Sequence, residues 1–126
     1  VRISDAKREW LDTYYAHVDA MNHDAYLAMY TADARLVLAN AEPVRGKDAI
    51  AEVLGGLLGS LGGIKHTLRD AWEEDGGLVI FECDVVYTRK DQREVTVRGA
   101  AFLVVNDEGL CSDSRIFVDI SPVFAD

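Results

Sequence analysis

The sequence predicts an α+β fold in which helices come first and a strongly curved, mixed or antiparallel sheet wraps around them. Three observations carry this expectation. Apolar residues recur at helical spacing through the first sixty positions, the period changes to two after Gly63, and short turns rich in Gly, Asp and Asn separate the later apolar runs. The element order read from them is α-α-β-α-β-β-β-β.

Over residues 4–21, Ala6, Trp10, Leu11, Tyr14, Val18 and Met21 fall on one stripe, with Ser4 or Asp5 available as N-cap. Asn22, His23 and Asp24 supply a break and a new cap, so a short second helix is expected over 25–30, in a hairpin with the first. Residues 35–40 form a short apolar strand, and Pro43 and Gly46 mark the loop after it. A third helix begins at Lys47 and Asp48 and holds Ile50, Val53, Leu54, Leu57 and Leu61 on one face. Gly55, Gly56, Gly59, Gly62 and Gly63 weaken its second half by up to about 1 kcal/mol each relative to alanine, so that end is expected to fray or move. The cluster lacks the lysine and Ser/Thr of a phosphate loop.

Four strands follow, over about 64–74, 78–88, 94–105 and 110–120. The turns between them, at Asp75-Gly76-Gly77, Lys90-Asp91-Gln92 and residues 106–109, suit antiparallel hairpins. A helix layer and a meander must each bury an apolar face on the other, and the space between them becomes a pocket.

Composition narrows the partners. With 126 residues the chain has material for one hydrophobic core, so residues 1–126 are expected to form a single domain. At 49% hydrophobic and 28% charged it falls outside the disordered class. A formal net charge of −9 with scattered basic residues points away from nucleic acid and from anionic membranes. No apolar run approaches the roughly 20 residues of a spanning helix. Cys83 and Cys111 lie in strand patterns without metal-ligand spacing and are expected as reduced core residues, and neither a metal nor a cofactor is expected. The chain opens at Val1 without a charged-then-apolar leader, so the cytoplasm is the expected location.

Alternation assigns the strand faces. Ile64, His66, Leu68, Asp70 and Trp72 share one face, as do Val79, Phe81, Cys83 and Val85, then Val97, Gly99, Ala101 and Leu103, and then Ser114, Ile116 and Val118. The opposite faces carry Glu82, Asp84, Arg98, Asp113, Arg115 and Asp119. The expected pocket is apolar, lined by Trp10, Val18, Leu38, Asn40, Leu57, Phe81, Cys83, Gly99, Ala101, Ser114 and Ile116, and its thin polar inventory suits one ligand carbonyl or hydroxyl. His66 is the candidate acid or base, since imidazole titrates near neutrality. Asp70 stands about 13 Å along the same strand, too far to orient it directly. His17, one helical turn from Tyr14, is a weaker candidate. Ile80, Val86, Ala100, Phe102 and Phe117 make the outer sheet face more apolar than a solvated face, which predicts a homodimer.

The stretches YYAHVDAMNHD at 14–24, MYTADA at 29–34 and GKDAI at 46–50 resemble the opening of SnoaL-like and ketosteroid-isomerase-like proteins of the nuclear transport factor 2-like superfamily. His66 with Trp72, residues 85–87, 106–109 and 115–122 resemble the strands that close such a domain. The resemblance implies a cone-shaped α+β barrel, a homodimer, and Asp33 as a structural corner between helix and strand. It also places a pocket histidine at His66. Ketosteroid isomerase, a worked case of paired acid and base tuning, uses a tyrosine, a carboxylate base and a protonated aspartic acid. Aligned on it, the tyrosine falls on Tyr14, the base on Leu38 and the oxyanion aspartate near Ala101. Two of the three groups are thus apolar, which disfavours steroid isomerisation by that route. An epoxide hydrolase of the limonene type needs an aspartate after Arg98, where Gly99 and Ala100 stand. The reading that remains is a cofactor-independent isomerase, dehydratase or cyclase acting on a small oxygenated apolar molecule of polyketide or steroid type, with His66 moving the proton and Tyr14 polarising an oxygen. The alternatives are a noncatalytic binding module and a dimeric association module.

Overall fold

The computed structural model describes residues 2–125. Helix α1 (Asp5–Asp19) starts at Ser4, whose side chain accepts a hydrogen bond from the Lys7 N–H and so satisfies one of the orphan donors of the first turn. Its buried residues are Leu11, Tyr14, Tyr15 and Val18, spaced i, i+3, i+4 and i+7 on one inward stripe. Helix α2 (His23–Leu27) is capped by Asn22 and ends before residue 30.

Strand β1 (Tyr30–Leu38) begins five residues earlier than the apolar run suggests. Long-range pairing extends it: β1 lies parallel to the last strand, with Tyr30 opposite Cys111 and Leu38 opposite Ile116, across a bulge between Tyr30 and Arg35. Asp33 therefore sits within the strand rather than at a helix–strand corner. Ala39, at φ 51, then turns the chain out of the sheet, so Asn40 lies in an exposed turn. A two-residue strand β2 (Val44–Arg45) pairs with β1.

Helix α3 (Lys47–Gly59) runs through three of the five clustered glycines. The other two open β3 (Leu61–Glu74), and a Cβ on Gly62 would stand 2.9 Å from the Arg89 carbonyl oxygen. Close backbone approach, rather than freedom to fray, explains glycine there. The strands β4 (Leu78–Arg89), β5 (Glu94–Val105) and β6 (Cys111–Val118) complete a six-stranded sheet in the order β2-β1-β6-β5-β4-β3. At the β3–β4 turn, Gly77 has φ +81 and a Cβ there would fall 2.1 Å from the Val105 carbonyl oxygen, so no other residue fits. A short helix α4 (Ser121–Phe124) follows the sheet and was not anticipated. The structure is thus an α+β fold with a curved mixed sheet, open at β2 and β3.

One bulge corrects a face assignment. Leu68 stands opposite Cys83 while Ala71 stands opposite Phe81, so β3 carries one extra residue between them. Alternation reverses there. Ala71 turns inward, and Trp72 turns outward beside Ile80 and is exposed, so Asp70 and Trp72 do not share the face of His66. The assigned faces of β4, β5 and β6 hold: Val79, Phe81, Cys83, Val85, Ala101, Leu103 and Ser114 are buried. On the outer face Arg69 pairs with Asp84, Asp113 sits between Arg35 and Arg115, and Arg115 lies 5.0 Å over the Phe102 ring. No helix among the described residues is long and apolar enough to cross a membrane.

Candidate functional site

A cavity of about 60 Å³ lies between α1 and α3 on one side and the inner faces of β3 to β6 on the other. Of the predicted positions it is lined by Tyr14, Val18, Leu38, Leu57, His66, Phe81, Cys83, Gly99, Ala101 and Ile116. Tyr15, Leu54, Leu58, Ile64, Val85, Tyr87 and Val118 also border it. The three positions aligned with the functional groups of ketosteroid isomerase, Tyr14, Leu38 and Ala101, thus converge on one space, and two of them bring no polar atom to it.

Three predicted positions stand elsewhere. Trp10 stacks on Tyr14 with ring centroids 5.2 Å apart, and its indole N–H donates to the Gly109 carbonyl at 2.8 Å, so it sits behind Tyr14 and outside the cavity lining. Asn40 is carried out by the turn at Ala39 and borders a surface groove with Phe117 and Ser121. Ser114 is 1% exposed and spends its hydroxyl on Tyr30.

Tyr14 reaches the cavity with its ring, but its hydroxyl is hydrogen-bonded to that of Tyr30. Tyr30 in turn meets Ser114, closing a buried chain of three hydroxyls. Burial and the neighbouring tyrosines hold the Tyr14 phenol well above the usual range. It is a neutral group with its hydrogen bond already made.

His66 is organised differently. Its Nδ1 lies 2.6 Å from Asp19 Oδ1, and its backbone N–H donates to Asp19 Oδ2 at 2.9 Å. β3 is an edge strand, so an N–H turned from β4 has no strand to meet, and the last residue of α1 supplies the acceptor instead. A carboxylate only accepts, so Nδ1 carries a proton and, in the neutral ring, Nε2 is the acceptor. Asp19 borders a surface groove with Arg8, Asp12, Tyr15 and His66 and does not border the cavity. The Nδ1 edge of the ring therefore faces the groove and Nε2 the cavity, where it has no partner among the described residues.

Tyr15 stands beside this imidazole, with centroids 4.4 Å apart, and edge-on to Phe81 at 5.3 Å. Its hydroxyl makes no hydrogen bond among the described residues, and desolvation raises its pKa well above the ordinary value. Sequence reasoning chose Tyr14 over Tyr15, yet the i, i+4 step from Leu11 to Tyr15 carried the signal. Asp19 gave no such signal, being 47 residues from its partner. Among the described residues no group of His, Cys, Asp and Glu side chains could hold a metal ion.

The sequence matches the SnoaL-like domain family over residues 11–113. The chain belongs to that family. Solved structures agree on the fold. A Shewanella denitrificans OS-217 protein described as a SnoaL-like polyketide cyclase superposes with a TM-score of 0.81 at 9% identity, covering 96% of each chain. SalBIII, an epoxide hydrolase/cyclase-like enzyme in pyran ring formation in the polyether salinomycin, gives 0.80 at 17% identity over 94% of this chain and 96% of its own. TerC, co-crystallised with polyporic acid, gives 0.78 at 18% identity over 92% and 93%. No curated protein matches the sequence. In this SnoaL-like domain the chemistry of the space between helices and sheet rests on the residues above.

Proposed function

We propose that this SnoaL-like protein is a cofactor-independent proton-transfer enzyme, an isomerase, dehydratase or cyclase acting on a small, neutral, oxygenated apolar molecule. The observation that carries the reading is the doubly anchored His66, held by Asp19 with Nε2 left to the cavity. In this mechanism Nε2 takes a proton from carbon next to a ligand carbonyl, and Asp19 stabilises the imidazolium that forms. The Tyr15 hydroxyl, neutral and unspent, donates to the oxygen as charge develops, and His66 returns the proton to a second carbon or to the leaving hydroxyl. Tyr15 thus takes the role the sequence suggested for Tyr14. A cavity of about 60 Å³ is small beside ordinary ligand sites, so a larger ring system requires Leu54, Leu57 and Leu58 on α3 to give way. The similar protein SalBIII has a role in pyran ring formation, and TerC was co-crystallised with polyporic acid, both of which support a small-molecule ligand.

The test uses cyclohexanone in D2O, with loss of its α-proton signal followed by NMR. Exchange above background is expected with the native protein and a drop of roughly 10² or more in His66→Ala, since positioned acid–base groups contribute about that much. Cyclohexanone that binds without exchanging would replace this reading with the second one, a noncatalytic binding protein. The locked Tyr14 hydroxyl is the observation that favours that second reading.

We also propose that the outer sheet face pairs two copies. Phe117 is 54% exposed and packs edge-on against Phe102, beside Arg115. A monomer in light scattering at micromolar concentration would count against it.

A further inference from the structure

A second residue with a polar tip borders that cavity on the same sheet face as the imidazole. Tyr87 is 4% exposed, sits on the inward face of β4 and borders the cavity. Its hydroxyl makes no hydrogen bond among the described residues. It is not sealed off either, since the one fully covered side-chain polar atom without a partner among them is Arg115 Nε. A hydroxyl so placed, with no protein acceptor, leaves a recognition group for whatever fills the space.

Strand register fixes its relation to His66. His66 stands opposite Val85 and Ile64 stands opposite Tyr87, so Tyr87 is the diagonal neighbour of His66 on the same face. Diagonal neighbours are about 7–8 Å apart at the backbone, which leaves a ring-sized gap between two long side chains. The rest of the lining is apolar or neutral. Burial pushes the Cys83 thiol up to about 11 and the Tyr87 phenol up to about 12, so both stay neutral at physiological pH. No lysine or arginine lines the cavity to neutralise a carboxylate or phosphate on a ligand.

We propose that Tyr87 is a specificity-determining residue that donates a hydrogen bond to a second ligand oxygen, so that the site takes neutral molecules with two oxygen functions across one ring. The inference rests on the reading of the cavity as a ligand site. It explains why β4 ends its inward run on tyrosine when Val79, Phe81, Cys83 and Val85 before it bring no hydroxyl.

The experiment compares cyclohexane-1,4-dione with cyclohexanone by NMR titration of the native protein and Tyr87→Phe, which keeps the ring and removes one oxygen. The ratio of dione to monoketone affinity is expected to fall by about 3- to 10-fold in the variant, the value of one neutral hydrogen bond. Monoketone affinity should stay unchanged. If both ketones bind and the ratio is the same in Tyr87→Phe, the assignment of Tyr87 is overturned while the cavity remains a ligand site. If neither ketone binds the native protein at millimolar concentration, the ligand-site reading fails and the Tyr87 role fails with it.

Discussion

Two sets of hydroxyls in the interior are treated in opposite ways, although the Tyr14 ring of one and the Tyr15 ring of the other lie only 4.9 Å apart. In one set Tyr14, Tyr30 and Ser114 bond to one another, with Trp10 stacked behind them and pinned to Gly109. In the other, Tyr15 and Tyr87 leave their hydroxyls unspent among the described residues. Both sets are buried and both are held neutral by desolvation. The difference lies in whether the protein itself supplies the partner. A closed set adds stability and specifies packing, whereas an open set gives up that stability and gains a site.

The largest effect that bears on this contrast is alkaline. Cys111, near Tyr30 of the closed set, is pushed up to about 12 by burial, and Cys83, in the cavity wall, to about 11. Both start from about 9 in the unfolded chain, so above that pH the unfolded state loses thiol protons that the native state keeps. The contribution of these two thiols to stability is then constant below about pH 9 and falls as pH rises towards 11 and 12, by about 1.4 kcal/mol per pH unit for each group. The Tm should be flat from about pH 7 to 8.5 and drop steeply from about 9 to 11. Cys111→Ala should flatten that fall more than Cys83→Ala. The reverse order would mean that the cavity wall, not the surroundings of the closed set, is the drier.

Next in size is Tyr30→Phe, which strands two hydroxyls at once, on Tyr14 and on Ser114, in residues 4% and 1% exposed. Each unsatisfied buried group costs about 1–3 kcal/mol, so chemical denaturation should show a loss of about 2–6 kcal/mol. Tyr14→Phe should cost about 1 kcal/mol, because Tyr30 keeps Ser114. Equal losses in the two variants would mean that the three hydroxyls do not act as a chain.

Much of this contrast was written in the sequence, and some was not. Helix α1 and the inward faces of β4, β5 and β6 followed from spacing alone, since periods of 3.6 and 2 are local properties. Ten of the predicted cavity positions border the cavity for that reason. The failures share one cause, dependence on a distant partner. β1 is lengthened by a parallel strand 80 residues away, the bulge in β3 is set by its register with β4, and Asp19 meets His66 only after the sheet has curved around α1. Whether a tyrosine hydroxyl is spent or free is likewise invisible in a pattern that records only that the residue is apolar enough to be inside.

The smallest predicted effect separates the two sets most cleanly. Tyr15→Phe and Tyr87→Phe remove hydroxyls that no described residue uses, so neither variant strands a partner. The ring, which supplies the buried area, is retained in both. Their stability should lie within about 0.5 kcal/mol of the native protein, against the losses expected for Tyr14→Phe and Tyr30→Phe. If ordered water already bonds these hydroxyls, the cost rises towards 1 kcal/mol, and adding a ketone ligand should then stabilise the native protein more than either variant. Unchanged stability together with a changed ligand preference would assign both hydroxyls to recognition. A loss as large as that of Tyr30→Phe would show that Tyr15 and Tyr87 are structural, and that the two sets of hydroxyls do not differ.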